Sequence, residues 1–331
     1  MTKRVLLTFD YELFLGTNSG NLQRCLLGPT SRILSQFRTL GIQGIFFVDV
    51  LFYLRLLESD ATAQAASQLR VQMQEIVAQG SRIELHLHPH WLDATYIDGQ
   101  WLFPSYERYR LHSLAGSEVM NLFQSCTKVL NDIAREVRPD YELRIFRAGG
   151  FCIQPFDSLK EALIDNHLSI DSSVAPGLFE DGDVREYDFV GAPDLAYYSF
   201  SDDPTKMQVG GRFLELPIAT YRINVWSKIK EKVLLKFSNE SLPFTADGIG
   251  IPMFRPWWGK FQTEVRMITL DGYFLPSRLI QRITACKRDF ATIIAHPKSI
   301  GSAYFATIQQ MVKEGYIFVD YGSISKSLGK D

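Results

Sequence analysis

The chain has 331 residues, of which 46% are hydrophobic and 22% are charged. This composition is typical of a globular enzyme, and the length is ample for a deep core. The formal net charge of −2 gives no electrostatic reason to expect nucleic acid or an anionic membrane as a partner. The four cysteines are widely scattered without a CxxC spacing, which argues against a cysteine zinc site and a disulfide framework.

The N-terminal segment does not have the pattern of a secretory signal. Only a few apolar residues separate Arg4 from Asp10, so this segment predicts a first β-strand. The most apolar stretch, residues 44–54, is too short to span a bilayer and contains Asp49. We therefore expect a cytoplasmic protein with free thiols and no membrane insertion. That location favours a biosynthetic precursor as substrate.

Short apolar runs alternate with amphipathic helical segments, which is typical of a largely parallel sheet with helices packed outside. The predicted elements, in chain order, are strand 4–9, helix 30–40, strand 45–50, helix 61–78, strand 82–88, helix 116–137, strand 141–146, helix 155–167, strand 168–171, helix 277–286, strand 290–295, helix 304–314 and strand 317–320. Residues 91–107 are rich in aromatic and turn-forming residues and predict a loop above the sheet.

The alternation breaks between about residues 175 and 270, where Gly, Pro, Asp and aromatic residues dominate. Only residues 212–218 and 251–254 resemble strands there, and we interpret the segment as an insertion that caps the site. No internal repeat or low-complexity linker divides the chain. We therefore expect a single catalytic domain over residues 1–331 with long loop insertions, of no specified oligomeric state.

Two carboxylates follow the first predicted strand. Asp10 and Glu12 are two positions apart on an extended chain, so they face the same way while Tyr11 turns aside. Catalytic groups of a parallel barrel collect at the carboxyl ends of its strands. One carboxylate could bind a metal ion and the other could act as general base. The alternative is a solvated acidic loop.

Three of the six histidines, His86, His88 and His90, fall within five residues at the end of another strand. Imidazole binds zinc and similar metals well. His86, a loop His90 and a carboxylate from a neighbouring strand would supply three protein ligands and leave the fourth position open, as a catalytic metal site requires. His88 is either a further ligand or a group that contacts the ligands or the substrate. His296 ends another apolar strand, where a lone histidine is more often structural.

Five motifs in order resemble the polysaccharide deacetylase (NodB-homology) family, a group similar to carbohydrate esterase family 4. The residues that carry the resemblance are Asp10 in Thr-Phe-Asp, His86 and His90 spaced H-x-x-x-H, Arg147 in Arg-Ala-Gly-Gly-Phe, Asp171, and His296. The ordered set spans residues 8–298, which is most of the chain.

The resemblance implies a distorted (β/α) barrel of about seven parallel strands with one divalent metal ion. Zinc is the first expectation, with cobalt, nickel or manganese as alternatives. By this resemblance His86 and His90 bind the metal, Asp10 is the general base, and Arg147 keeps Asp10 ionised.

The resemblance also implies a general acid and an oxyanion site. His296 would protonate the leaving group, with Asp171 tuning its protonation. The metal and a backbone N–H near Gly150 would stabilise the tetrahedral oxyanion.

The sequence departs from the family pattern in two places. The common first motif has two adjacent aspartates, the second of which binds the metal, and Tyr11 occupies that position here. Strand geometry makes Glu12 the substitute, so we assign Glu12 to the metal and Asp10 to catalysis, with exchanged roles as the alternative. The third motif has Gly150 and Phe151 in place of a proline–aromatic pair, which leaves the oxyanion donor open.

Substrate contacts are expected from residues around the predicted site. The candidates are Tyr11, His88, Trp91, Gly150, Phe151, Trp257 and Trp258. Tryptophans stack on sugar faces, although packing inside the protein is the commoner role of a tryptophan in a loop-rich region.

The leading hypothesis is metal-dependent removal of an N- or O-acetyl group from a carbohydrate, either a glycan or a glycan precursor. One alternative is an allantoinase-like hydrolase of cyclic amides on the same fold, and another is a non-catalytic sugar-binding protein with a degenerate site. Retention of His86 and His90 favours the metal-dependent hydrolase. Asp10, Arg147 and His296 argue against simple binding, which needs neither a general base nor a general acid.

Overall fold

The fold is known from a computed structural model that describes residues 3–236, 246–251, 262–272 and 274–327. Its strands are β1 (Arg4–Tyr11), β2 (Ile45–Asp49), β3 (Arg82–Leu87), β4 (Thr95–Ile97), β5 (Gln100–Leu102), β6 (Ile145–Ala148), β7 (Ile170–Asp171), β8 (Phe179–Asp181), β9 (Glu186–Asp188), β10 (Tyr198–Phe200), β11 (Phe213–Glu215), β12 (Thr220–Ile223), β13 (Glu264–Met267), β14 (Ala291–Ala295) and β15 (Ile317–Phe318). Its helices are α1 (Gly28–Leu40), α2 (Val50–Leu57), α3 (Ala63–Ala78), α4 (Gly116–Arg135), α5 (Asp157–Asp165), α6 (Val225–Lys236), α7 (Pro276–Ala285), α8 (Ser302–Lys313) and α9 (Tyr321–Ser327).

Seven parallel strands form the central sheet in the order β11-β7-β6-β3-β2-β1-β14. The short strand β15 pairs with β1, and β10 runs antiparallel along β11. The two ends of the sheet approach each other, because an isolated parallel bridge joins Ile218 to Thr292 and the Ala219 N–H donates to the Thr292 carbonyl. The predicted distorted (β/α) barrel of about seven parallel strands is confirmed.

The barrel interior is apolar at the amino ends of the strands and polar at the carboxyl ends. Leu6 of β1 packs in one buried cluster with Phe47 and Ile145 of neighbouring strands. Because side chains alternate along a strand, Asp10 and Glu12 lie on the same face as Leu6 and stand above that cluster. This change from apolar to polar along one face creates the site.

The helices cover the opposite faces of the strands. Val5, Leu7 and Phe9 of β1 belong to the large core that the sheet shares with the surrounding helices. Each predicted helix is present within two residues of its expected ends. Among the described residues, no helix combines the length and the apolar character needed to cross a bilayer.

Several parts of the fold differ from the prediction. The loop predicted at 91–107 contains the hairpin β4–β5, and the strand predicted at 141–146 is β6, at Ile145–Ala148. Of the strand predicted at 251–254, residues 252–254 lie outside the described residues. The apolar run after β2 continues as helix α2, which the sequence pattern did not separate from the strand. Strand β11 belongs to the barrel sheet, so the segment interpreted as a capping insertion also completes the barrel. Among the described residues of that segment, the hairpins β8–β9 and β12–β13 and helix α6 lie outside the central sheet.

Candidate metal and catalytic site

The site lies at the carboxyl ends of β1, β3, β6 and β14. Asp10 is almost completely buried and forms an ion pair with Arg147, whose Nη1 donates to Asp10 Oδ1 at 2.5 Å. Arg147 also donates to Thr8 Oγ1 and, through Nε and Nη2, to the carbonyl and hydroxyl of Ser172. Its guanidinium group lies 4.0 Å from the centre of the Phe47 ring. These contacts stabilise the buried guanidinium cation, because an unpaired charge in the interior is unfavourable.

Arg147 determines the charge state of Asp10. Burial raises the pKa of the Asp10 carboxyl, but the Arg147 guanidinium overcomes this effect and holds the pKa below its usual value. Since Oδ1 of Asp10 is occupied by Arg147, Oδ2 is the oxygen that faces His296, at 3.6 Å from its Nε2 atom. Asp10 is therefore an ionised carboxylate with one oxygen turned toward a histidine.

Three potential metal ligands lie within a small space beside this pair. Glu12 Oε2 is 2.8 Å from His88 Nε2 and 3.4 Å from His86 Nε2, and the two Nε2 atoms are 3.1 Å apart. A zinc ion bound at its usual distances holds two tetrahedral ligands roughly 3.4 Å apart. Among the described residues, no aligned hydrogen-bond donor reaches Glu12 Oε2. The spacing and the unsatisfied oxygen fit a divalent cation.

The protonation states of these groups also suit a metal. His86 Nδ1 lies 2.8 Å from the carbonyl oxygen of Arg147, which can only accept, so Nδ1 carries the proton and Nε2 presents a lone pair. Burial lowers the pKa of His88 to about 4, so its imidazole is neutral at physiological pH. Burial lowers the pKa of His86, but the hydrogen bond with Glu12 and the charge of Asp10 outweigh it and raise the pKa above its usual value. Metal ligands must be deprotonated, so a metal ion bound at this cluster would release the proton of His86.

Lys298 holds the other oxygen of Glu12. Its Nζ donates to Glu12 Oε1 and to the Leu13 carbonyl, each at 2.7 Å. Burial raises the pKa of Glu12, but Lys298 and then His88 outweigh it and hold the pKa well below its usual value. Glu12 is thereby ionised and oriented, with Oε2 directed toward the two imidazoles.

His90, expected as a ligand from the H-x-x-x-H spacing, does not join this group. Residues two apart on a strand share a face, so the chain places His88 beside His86, whereas His90 lies on the turn after Pro89. The His90 ring stacks on Tyr109 at 5.6 Å between centroids and contacts the edge of Phe103. No hydrogen-bond partner reaches either His90 nitrogen from the described part of the chain.

The carboxylate beside His296 is Asp271, whereas the family resemblance assigned that role to Asp171. His296 Nδ1 lies 2.7 Å from Asp271 Oδ2, and the His296 backbone N–H donates to Asp271 Oδ1 at 2.7 Å. Burial lowers the pKa of His296, but the charge and hydrogen bond of Asp271 overcome this effect and raise the pKa to about 9. His296 is therefore an imidazolium at neutral pH.

Asp171 lies on the other face of the sheet. It is the register partner of Phe146 and Glu215, and Phe146 packs against the helix layer through Phe123. Its carboxylate accepts hydrogen bonds from the hydroxyl and the N–H of Ser173. Burial raises the pKa of Asp171, and burial together with the Asp171 charge raises the pKa of Glu215 well above its usual value. Both shifts favour the protonated form of these two carboxyl groups, which lie outside the site.

The third motif forms a tight turn against His88. Gly150 has φ +61°, a left-handed conformation that favours glycine. A Cβ on Gly149 would lie 2.8 Å from His88 Nδ1, and a Cβ on Gly150 would lie 2.6 Å from the Tyr109 ring. Phe151 is buried with φ +65°. The pair of glycines lets this turn approach the histidines and Tyr109 closely.

Two of the expected substrate contacts are inside the core. Trp91 is completely buried and donates from Nε1 to Asp49 Oδ2 at 2.6 Å. Tyr11 is buried and donates from its hydroxyl to Gln72 Oε1. These contacts contradict their assignment to the substrate surface. His88 belongs to the cluster of potential metal ligands, and Trp257 and Trp258 lie outside the described residues.

The sequence reasoning missed four polar residues near the site. Asp271 lies just after the segment interpreted as an insertion, and Tyr109 lies just beyond the loop predicted at 91–107. Lys298 lies on the short turn that begins at Pro297, so the alternation of a strand gave no signal for it. Asp49 ends β2 opposite His86, and burial raises its pKa to about 7. The alternation of β2 could have revealed Asp49.

No protein-family model and no curated protein matches the chain. Several solved structures resemble it over almost its whole length at low identity. One is a peptidoglycan N-acetylglucosamine deacetylase, 13% identical, with 97% of this chain and 87% of the other covered and a TM-score of 0.43. Another is a family 4 acetyl xylan esterase from Clostridium thermocellum with a cobalt ion, 12% identical, with coverages of 99% and 93% and a TM-score of 0.41.

A third similar structure is a CE4 family pseudoenzyme from Bacillus anthracis. It is 11% identical, with 96% of this chain and 63% of the other covered and a TM-score of 0.41. The printed names of these proteins come from the family that the five sequence motifs resemble.

Proposed function

We propose that this protein is a metal-dependent hydrolase that removes an N- or O-acetyl group from a carbohydrate. The observation that carries the proposal is the position of His296 Nε2, 3.6 Å from Asp10 Oδ2 and 3.8 Å from Glu12 Oε1. An ionised carboxylate, a protonated imidazole and a metal-ligand cluster therefore meet at one point. Such a set provides a base, an acid and a cation site for acyl transfer to water.

Asp10 and His296 divide the proton transfers between them. Asp10 Oδ2 accepts a proton from the attacking water, whose oxygen bonds to the acyl carbon while the carbonyl electron pair moves onto its oxygen. That pair then re-forms the carbonyl as the bond to the leaving group breaks. His296 donates its Nε2 proton to the departing nitrogen or oxygen, and Asp271 stabilises its charged form. No covalent enzyme intermediate is required.

The cluster of Glu12, His86 and His88 would hold the divalent ion. Such an ion supplies Lewis-acid polarisation of an acyl oxygen and makes a nearby water more acidic. Arg147 keeps Asp10 ionised so that it remains a base, and its carbonyl fixes the His86 ring. Zinc suits two imidazoles and one carboxylate, and cobalt, nickel and manganese are the alternatives to be tested.

The carbohydrate is the part of the proposal that depends on the sequence resemblance. Five motifs in order support a sugar substrate, and the location within the cell is inferred only from the sequence. A direct assay is acetate release from N- and O-acetylated monosaccharides, nucleotide sugars and short oligosaccharides, with a cyclic amide in the same panel. Zinc-loaded protein and its Asp10→Asn variant would be compared. Acetate release that disappears in the variant supports the proposal, whereas opening of the cyclic amide alone replaces it with the allantoinase-like alternative.

Lys298 favours a second candidate, a sugar-binding protein without catalysis. Its ammonium group already neutralises Glu12, so the charge of this ligand is balanced without a metal ion. Equilibrium dialysis against zinc separates the two candidates. One tightly bound zinc ion per chain supports the hydrolase, and a protein that binds acetylated sugars but no metal supports the second candidate.

A further inference from the structure

The altered third motif leaves the hydrogen-bond donor of the oxyanion site unassigned. Tyr109 lies where its hydroxyl could supply that donor. Tyr109 comes from the segment between β5 and α4 and reaches the turn at Gly149–Phe151. Its hydroxyl oxygen is 2.9 Å from the place a Cβ on Gly150 would occupy. The glycine at this position therefore makes the room that the phenol uses.

The Tyr109 ring is held against the candidate metal ligands. Its centroid lies 5.4 Å from that of His88 at an interplanar angle of 69°, and 5.6 Å from that of His90 at 10°. Packing against two imidazoles and a glycine turn restricts the ring to one orientation. The hydroxyl is thus fixed beside the cluster of Glu12, His86 and His88.

The described residues form no hydrogen bond with the Tyr109 hydroxyl, although only 6% of the residue is exposed, and this oxygen is not among the buried polar atoms that are cut off from solvent. A tyrosine hydroxyl in this position can be satisfied by water or by a bound ligand. The side chain of Arg185 passes close to the same glycine, and its positive charge acts on the Tyr109 phenol. An unpaired donor beside a candidate reaction centre is well placed for an incoming acyl oxygen.

We propose that Tyr109 is a catalytic residue whose O–H donates a hydrogen bond to the acyl oxygen as negative charge develops there. This inference rests on the proposed function. Tyr109 keeps its proton throughout, so the bonds made and broken are those already assigned to water, Asp10 and His296. The phenol replaces the donor that a proline–aromatic third motif would have positioned, and the Gly149–Gly150 pair is the compensating change in the backbone.

The test compares Tyr109→Phe with Tyr106→Phe, a matched change in the same loop. Phenylalanine preserves the ring that packs on His88 and His90 and removes only the hydroxyl. Acetate release at saturating substrate would be measured together with zinc content and the affinity for acetohydroxamic acid, a probe that carries an acyl oxygen. Loss of one oxyanion donor lowers kcat by about 100-fold or more.

We expect Tyr109→Phe to lower kcat by about 100-fold, to weaken the binding of acetohydroxamic acid and to leave zinc content unchanged, while Tyr106→Phe behaves as wild type. A Tyr109→Phe variant with wild-type kcat and probe affinity overturns the role of Tyr109 but leaves the proposed function intact. A wild-type protein that releases no acetate and binds no probe overturns both. Loss of zinc from Tyr109→Phe would mean that the hydroxyl supports the cluster instead, and this also contradicts the proposal.

Discussion

Asp271 contacts His296 through both of its carboxylate oxygens. Oδ2 lies 2.7 Å from the ring Nδ1, and Oδ1 accepts from the His296 backbone N–H at the same distance. Because Nδ1 is used for this contact, Nε2 is the ring atom that faces Asp10. Asp271 therefore fixes the orientation of the imidazole as well as its charge, which is the arrangement a general acid needs.

Asp271→Asn is expected to move the alkaline limit of activity to lower pH. A histidine with a raised pKa is protonated below that pKa and loses its proton as the pH rises through it, which for His296 is about 9. The charged groups that face His296 are Asp271, Asp10, Glu12 and Lys298. Removing the Asp271 charge lowers the pKa, so a profile of kcat/KM against pH should fall earlier. An unchanged alkaline limit would exclude His296 as the acid, and Asp140→Asn on the surface is the control.

His88 and His90 provide a matched test of the metal site. His88→Ala removes one of the three clustered donors and should lower zinc affinity by about 100-fold or more, while His90→Phe should retain the metal because its ring contacts are aromatic. Competition with a chromogenic chelator measures both affinities. If His90→Phe loses zinc and His88→Ala keeps it, the H-x-x-x-H pair of the sequence motif is the true ligand pair.

The alternation of short apolar runs and amphipathic helices was sufficient to predict the barrel and its helices. Hydrophobic periodicity is a local property, and the six predicted helices follow it, whereas it did not separate α2 from β2 and did not reveal the hairpin β4–β5. The position of Glu12 beside Asp10 was also predictable, because a two-residue spacing on a strand places both carboxylates on one face.

The partners of the site residues were not predictable in the same way. Asp271 lies 25 positions from His296 in a segment without clear periodicity, so its contact depends on how the irregular loops close the barrel. Asp171 matched a motif, but its side chain faces the helices. Its strand contributes only Ile170 and Asp171 to the sheet. His90 was chosen over His88 on motif spacing, although the alternation of β3 placed His86 and His88 together.

Arg147→Met is expected to lower the free energy of unfolding. The substitution leaves Asp10 buried without its cation, and breaking a buried ion pair in this way costs about 3–5 kcal/mol. Urea denaturation measures the loss, with Arg144→Met as the control because its ion pair with Glu142 is partly exposed and contributes little. Adding Asp10→Asn to Arg147→Met should recover part of the stability. A loss below about 1 kcal/mol for Arg147→Met would show that Asp10 does not depend on this cation.

Glu215→Gln is expected to make stability less dependent on pH. A carboxyl with a raised pKa binds its proton longer in the folded state, so the folded protein loses stability as pH rises from the unfolded pKa through the folded one. A glutamine oxygen can still accept from the Val174 N–H, while its amide can donate to Asp171. Between pH 5 and 9, the urea concentration at the unfolding midpoint should fall less steeply for Glu215→Gln than for wild type or for the exposed control Glu161→Gln. Parallel curves would show that Glu215 does not have a raised pKa in the folded protein.

We propose that two carboxylates at the end of one strand divide the chemistry, with Glu12 binding the metal and Asp10 activating water. Zinc content and acetate release measured on the same preparations of Asp10→Asn and Glu12→Gln test this division. We expect Asp10→Asn to retain one zinc ion and to lose turnover by at least about 1,000-fold, whereas Glu12→Gln loses zinc. If Asp10→Asn lacks zinc while Glu12→Gln retains it, the division is contradicted and the two roles are exchanged.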